Sequence, residues 1–77
     1  MPHYIDGQEA KVGDVVVGTT YNVPGKVVGI LASITNRTAD TCNCTVLSLV
    51  RVYDDNLKVV GVNATDYTEC KALKKLL

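Results

Sequence analysis

Apolar and polar positions alternate along most of the chain, and a period of two predicts β-strands. Turn signals interrupt the alternation at Gly13-Asp14, at Asn22–Gly25 around Pro24, and at 54–56. Glycines inside the segments indicate bends, as at the corners of a small barrel. The pattern therefore predicts a small, strongly bent β-barrel, with strands over Val12–Thr20, Lys26–Asn36, Cys42–Tyr53 and Leu57–Val62.

The period changes near the C-terminus. Asp66 followed by Glu69 resembles a helix-capping pair, and the lysines that follow suit the negative end of a helix. An apolar stripe at helical spacing comes after it, formed by Tyr67, Cys70, Leu73 and Leu77. We therefore expect a C-terminal α-helix over about 66–77, packed against one end of the barrel.

Two strands are apolar on both faces. Alternation in the third strand places Cys42, Cys44, Val46, Val50 and Val52 on one face and Leu47, Leu49 and Tyr53 on the other. The second strand is similar, with Val28, Ile30, Ala32 and Ile34 opposite Val27 and Leu31. A small antiparallel barrel normally has one wet face, so a second copy of the chain is expected to cover the other. We therefore expect a homo-oligomer.

Size and charge restrict the function. A chain of 77 residues makes one domain with a small core, which is another reason to expect self-association. Eight basic residues balance eight acidic ones, so binding of long nucleic acid through counterion release is not expected. The N-terminal segment has no apolar signal-peptide region and no stretch spans a bilayer, so a cytoplasmic location is expected.

Cysteine and histidine usage gives no sign of catalysis or metal binding. Three cysteines cannot form a closed disulfide framework, and His3 is the single histidine. A structural zinc site needs four ligands, so Cys42, Cys44 and Cys70 are interpreted as buried apolar thiols. We expect no cofactor, no metal and no enzymatic activity.

Short motifs spread over the chain suggest a family. Asp6-Gly7, Gly13-Asp14, Tyr21-Asn22 and the segment 40–43 resemble the small SH3-like barrel proteins of tailed bacteriophages. The segment 24–30 is also similar to the turn of KOW-type barrels. The alternating segments followed by the capped helical stripe predict a five-stranded, mostly antiparallel barrel, which the resemblance identifies as SH3-like. The resemblance also implies a phage origin and a noncatalytic role, and therefore a location in the host cytoplasm.

Two functions remain open. One is a ligand-binding oligomer that sequesters a nucleotide immune signal, as some phage anti-defence proteins do. Tyrosine can stack on a base, threonine and asparagine can read its edges, and a basic group can meet a phosphate. The candidate residues are Thr20, Tyr21, Asn22, Lys26, Arg37, Thr41 and Asn43. The other function is an SH3- or KOW-like module that binds a protein or nucleic acid, with Tyr21 and Asn22 serving only to build a loop.

Overall fold

Five strands form a single antiparallel sheet. The structure, a computed structural model, describes residues 2–35, 43–53 and 58–77. The strands are β1 (Val15–Thr20), β2 (Val23–Ile34), β3 (Asn43–Tyr53), β4 (Lys58–Glu69) and β5 (Leu73–Lys75). Their order in the sheet is β4-β3-β2-β1-β5, so β5 returns to pair with β1. The prediction of a small, mainly β fold is confirmed.

The N-terminal segment forms a turn before β1. Gly13 has a φ of 99°, which favours glycine, and its N–H donates to the carbonyl of Leu31 at 2.8 Å. The Asp14 carboxylate accepts from the Tyr4 hydroxyl at 2.7 Å and from the Lys11 N–H at 3.1 Å. Because this turn occupies 11–14, β1 begins at Val15 and not at Val12 as predicted.

The turn between β1 and β2 is shorter than the sequence predicts. Tyr21 and Asn22 form it, and β2 begins at Val23, so Pro24 and Gly25 already lie in the strand. Proline is tolerated near the start of a strand, where its missing N–H disrupts little. Gly25 is needed because β3 passes so close that a Cβ would overlap the carbonyl oxygen of Val52.

The sheet curls until β1 reaches β4, although two strands separate them in the sheet. The Tyr21 N–H donates to the carbonyl of Tyr67 at 3.0 Å. The Thr68 hydroxyl donates to the carbonyl of Thr19 at 2.6 Å. Register shifts in the pairing of β2 with β3 and of β3 with β4 supply the bending, as bulges usually do.

The core lies inside this curled sheet, and the bulges decide which residues enter it. Beyond the register shift at 31–33, Ile34 is opposite Cys44 and packs against the core, so its predicted face is wrong. Beyond the shift near Leu49, Arg51 is opposite the buried Val27, and Val50 and Val52 turn to the outer face. The core residues are Tyr4, Ala10, Val16, Leu31, Cys44, Val46, Cys70 and Leu73.

The predicted C-terminal helix over 66–77 is wrong. β4 continues through Glu69, a short 3-10 turn occupies Cys70–Ala72, and β5 follows. Burial in this part of β4 alternates, with Asp66 and Thr68 buried and Tyr67 exposed. Asp66 does not cap a helix, because its side chain points inward to Arg51 and Ser48.

Other predictions fall outside the described residues. These are the polar turn 37–41, the turn 54–56, the ends of three predicted strands at Asn36, Cys42 and Leu57, and the thiol of Cys42. The thiols of Cys44 and Cys70 are buried, as predicted. None of the helical segments among residues 2–35, 43–53 and 58–77 has the length and apolar character needed to cross a membrane.

Candidate functional site

A cleft of about 480 Å³ opens where the β1–β2 turn meets the ends of β3 and β4. The hydrogen bond between Tyr21 and Tyr67 draws these elements together. Two predicted binding residues, Tyr21 and Asn43, both face this cleft although 22 positions separate them. The described lining residues are Tyr21, Thr35, Asn43, Cys44, Thr45, Tyr67 and Thr68.

Two tyrosines give the cleft its aromatic character. Tyr21 is 69% exposed and Tyr67 is 59% exposed, so neither ring contributes to the core. Desolvation, followed by a hydrogen bond to the Glu69 carboxylate, raises the pKa of Tyr21 above its ordinary value. The Tyr21 ring is therefore anchored at its backbone and at its hydroxyl, and aromatic surface stays available to a ligand.

Polar groups surround the rings, and several are held by the sheet. The hydroxyl of Thr35 donates to the carbonyl of Asn43 at 3.0 Å, and that of Thr68 donates to Thr19. The hydroxyl of Thr45 is hydrogen-bonded to that of Ser33. A hydroxyl that donates internally still has an acceptor lone pair, so this wall can accept hydrogen bonds from a ligand.

Asn22 is exposed and lies outside the cleft lining, but it belongs to a polar cluster around the buried carboxylate of Asp66. Its side-chain amide donates to Asp66 at 3.2 Å. Asp66 has no exposed surface and also accepts from Ser48 at 2.6 Å and from Arg51 at 2.6 and 3.2 Å. This arrangement connects the β1–β2 turn to β3 and β4, so it holds one wall of the cleft in place.

The charge of Asp66 survives burial because its partners compensate for it. Burial acts to raise the pKa of Asp66, and this is the largest single effect. Hydrogen bonds from Arg51 and Ser48, together with the positive charge of Arg51, outweigh it and hold the pKa below its ordinary value of 3.8. Asp66 is therefore an ionised buried carboxylate whose hydrogen bonds hold the surrounding strands in place.

Thr20 and Lys26 are predicted binding residues that do not line the cleft. Thr20 is buried, and its hydroxyl finds no hydrogen-bond partner within the described structure. Lys26 lines a second cavity of about 340 Å³, which includes Ile5, Thr19 and Lys74. Arg37 and Thr41 lie outside the described residues.

Tyr67 lines the cleft, and Glu69 is the cross-strand partner of the lining residue Asn43. Both residues belong to the segment that the sequence predicts to be a helix. The signal that could have located them is the alternation across Ala64, Asp66 and Thr68, which leaves 65, 67 and 69 on the opposite face. A strand with that pattern would bury the charge of Asp66. Burying a charge is unfavourable unless a partner such as Arg51 lies beside it, and the sequence alone does not identify that partner.

The described lining residues offer aromatic faces, hydroxyls and an amide. Groups of three or more His, Cys, Asp or Glu side chains that could hold a metal ion do not occur among the described residues. Comparison with protein-family models, with curated proteins and with solved structures finds no match. The site is therefore interpreted from its own geometry.

Proposed function

We propose that this protein is a noncatalytic binding protein that holds a small ligand in the cleft between Tyr21 and Tyr67. The observation that carries the proposal is the meeting of two exposed tyrosines and the predicted residue Asn43 around one cavity of about 480 Å³. Exposed aromatic rings beside a concave, partly polar wall are typical of ligand sites. The ligand is held and released unchanged.

The ligand has a face that stacks on tyrosine and edges that form hydrogen bonds. A tyrosine ring offers a large flat contact at little cost in side-chain entropy. Asn43, Thr35 and Thr45 stand beside the rings and supply amide or hydroxyl groups. The cleft therefore suits a compact ligand that combines an apolar face with polar edges.

A more specific proposal follows from the phage resemblance. In it the ligand is a nucleotide immune signal, and the protein acts as a phage-encoded sponge in the host cytoplasm. The base would stack on Tyr21, and the phosphate would need a cation. Lys26 lines the other cavity, so this version depends on Arg37.

The alternative function is an SH3-like interaction module. It is favoured by the curled five-stranded sheet, in which β1 and β4 are joined by hydrogen bonds at one end. These features support the proposal of an SH3-like barrel. Exposed tyrosines also suit a groove for proline-rich peptides, which bind such barrels in an extended helix.

A homo-oligomer is part of the proposal. Leu49 remains 45% exposed on β3 and Val59 remains 63% exposed on β4, so apolar side chains stay at the surface of a single chain. Covering them with a second copy would enlarge a small core.

The proposal is tested by calorimetry of the purified protein against a panel of small planar ligands that includes cyclic nucleotides. We expect at least one to bind in the micromolar range and Tyr21→Ala to weaken it at least tenfold. Ile5→Ala is the matched control, because Ile5 is also 69% exposed but lines the other cavity. Binding of a proline-rich peptide with no response to any small ligand would instead favour the interaction module.

A further inference from the structure

The charges around the cleft discriminate between classes of ligand. The described lining residues include no lysine or arginine. Glu69 is the cross-strand partner of the lining residue Asn43 and shares a face of β4 with Tyr67, so its carboxylate lies beside the cleft. Lys26 and Lys74 line the other cavity. A phosphate placed between the tyrosines would therefore meet a like charge and no opposite one within the described lining.

A cation in the cleft would be attracted, whereas a phosphate would be repelled. The face of a tyrosine ring is electron-rich and attracts a positive charge within about 6 Å of its centre. Two such rings and one carboxylate around the same cleft all favour a positive ligand. Because the described residues around the cleft offer no second carboxylate to compensate for lost hydration, weakly hydrated cations with alkyl groups on nitrogen are favoured over small inorganic ones.

We infer that the cleft between Tyr21 and Tyr67 binds a small organic cation, of the alkylated-ammonium class, with Glu69 as its counter-ion. The inference rests on the proposed function, because it names the ligand class for the same site. The alkyl groups contact the two rings, and the positive charge lies on the side of Glu69. Asn43, opposite Glu69 in the pairing of β3 with β4, is placed to meet a polar tail of the ligand.

A substitution at Glu69 distinguishes a cationic ligand from a nucleotide. Removing its charge weakens a cation and strengthens a phosphate, so Glu69→Gln moves the two affinities in opposite directions. Glu69 is partly exposed, so the expected loss of cation affinity is modest, about two- to fivefold. The matched control is Glu9→Gln, an exposed carboxylate in the N-terminal turn.

The test is a titration of ¹⁵N-labelled protein with choline and with its uncharged isostere 3,3-dimethyl-1-butanol, followed by NMR. We expect choline to bind about ten- to hundredfold more tightly, the combined gain from two exposed cation–π contacts and from Glu69, with shifts centred on Tyr21, Asn43 and Tyr67. A peptide carrying trimethyl-lysine is titrated in parallel. If the peptide binds more tightly than choline, the natural ligand is a modified side chain of another protein. If the peptide binds more weakly than choline, the natural ligand is a free small molecule.

Two failures are distinguishable. If choline and the alcohol shift the same cleft resonances with equal affinity, or if Glu69→Gln tightens choline, the inference about charge is overturned and the proposed cleft stands. If choline, the alcohol and cyclic nucleotides all leave the Tyr21 and Tyr67 resonances unchanged, the proposed function itself fails.

Discussion

Asp66 shows how a single side chain determines the geometry around the cleft. Its carboxylate is completely buried and accepts hydrogen bonds from Asn22, Ser48 and Arg51. These partners come from the β1–β2 turn and from β3, while Asp66 itself lies on β4. Because an unpaired buried charge is costly, the ionised Asp66 favours the arrangement in which all three elements are assembled.

This cluster predicts that stability is lost in acid. The folded pKa of Asp66 lies below its ordinary value of 3.8, so its contribution to folding is complete above about pH 5. The contribution falls as the pH drops through the ordinary value and disappears below the folded pKa. Asp66→Asn should lower the free energy of unfolding by about 2 kcal/mol at pH 7, since Arg51 keeps only a neutral partner.

The measurement is urea denaturation followed by circular dichroism between pH 3 and pH 7. The difference between wild type and Asp66→Asn should shrink as the pH falls. The control is Asp6→Asn, because hydrogen bonds from Gln8 also lower the pKa of Asp6, but that carboxylate is exposed. An equal difference between wild type and Asp66→Asn at every pH would contradict a charged role for Asp66.

Among the elements, β2 and β3 approach each other most closely at two glycines of β2, Gly25 and Gly29. A side chain at Gly25 would overlap the backbone of Val52, which cannot withdraw as a flexible side chain could. Gly25→Ala should therefore destabilise the protein by at least about 2 kcal/mol, in the range of other overpacked sites.

Gly61 provides the matched control for that substitution. It lies on β4, and a Cβ there would meet no atom within 4 Å. Gly61→Ala should leave the free energy of unfolding unchanged or raise it by about 0.5 kcal/mol, because alanine lowers the conformational entropy of the unfolded chain. Urea midpoints measured for both variants test the pair. Equal effects would mean that the close contact between β2 and β3 is absent in solution.

The elements could be predicted from sequence as far as alternation identifies them. β1 to β3 were located because apolar residues alternate within them, although bulges near Ala32 and Leu49 reversed the faces of Ile34, Val50 and Val52. The extra residues at these two bulges are Ala32 and Leu49, and neither is a glycine that could have marked a bulge in the sequence. The end of β4 was missed because Asp66 fits a helix cap better than a buried strand position.

The candidate site was also predicted only in part. Tyr21 and Asn43 were predicted from residue type and from their places at strand ends, where ligand sites often form. Tyr67 and Glu69 could not be assigned while their segment was expected to be a helix. Local pattern alone does not reveal that β1 curls far enough to hydrogen-bond with β4.

At the scale of the whole molecule, exposed apolar residues predict self-association. Leu49→Lys should split the oligomer, because the interface would have to bury an unpaired charge. Val12→Lys is the control, since Val12 is 53% exposed in the N-terminal turn, before β1. Light scattering after gel filtration measures the mass. A wild-type mass of one 8.3 kDa chain at micromolar concentration would refute self-association.

NMR mapping of the bound ligand on the protein tests whether the cleft between Tyr21 and Tyr67 is the ligand site. Labelled wild-type protein is titrated with a library of small planar and cationic molecules. We expect the ligands that bind to shift the resonances of Tyr21, Asn43, Thr45 and Tyr67 first. In Tyr21→Ala the shifts of Asn43, Thr45 and Tyr67 should disappear. Shifts centred on the cavity around Lys26 and Lys74, unchanged in Tyr21→Ala, would contradict it.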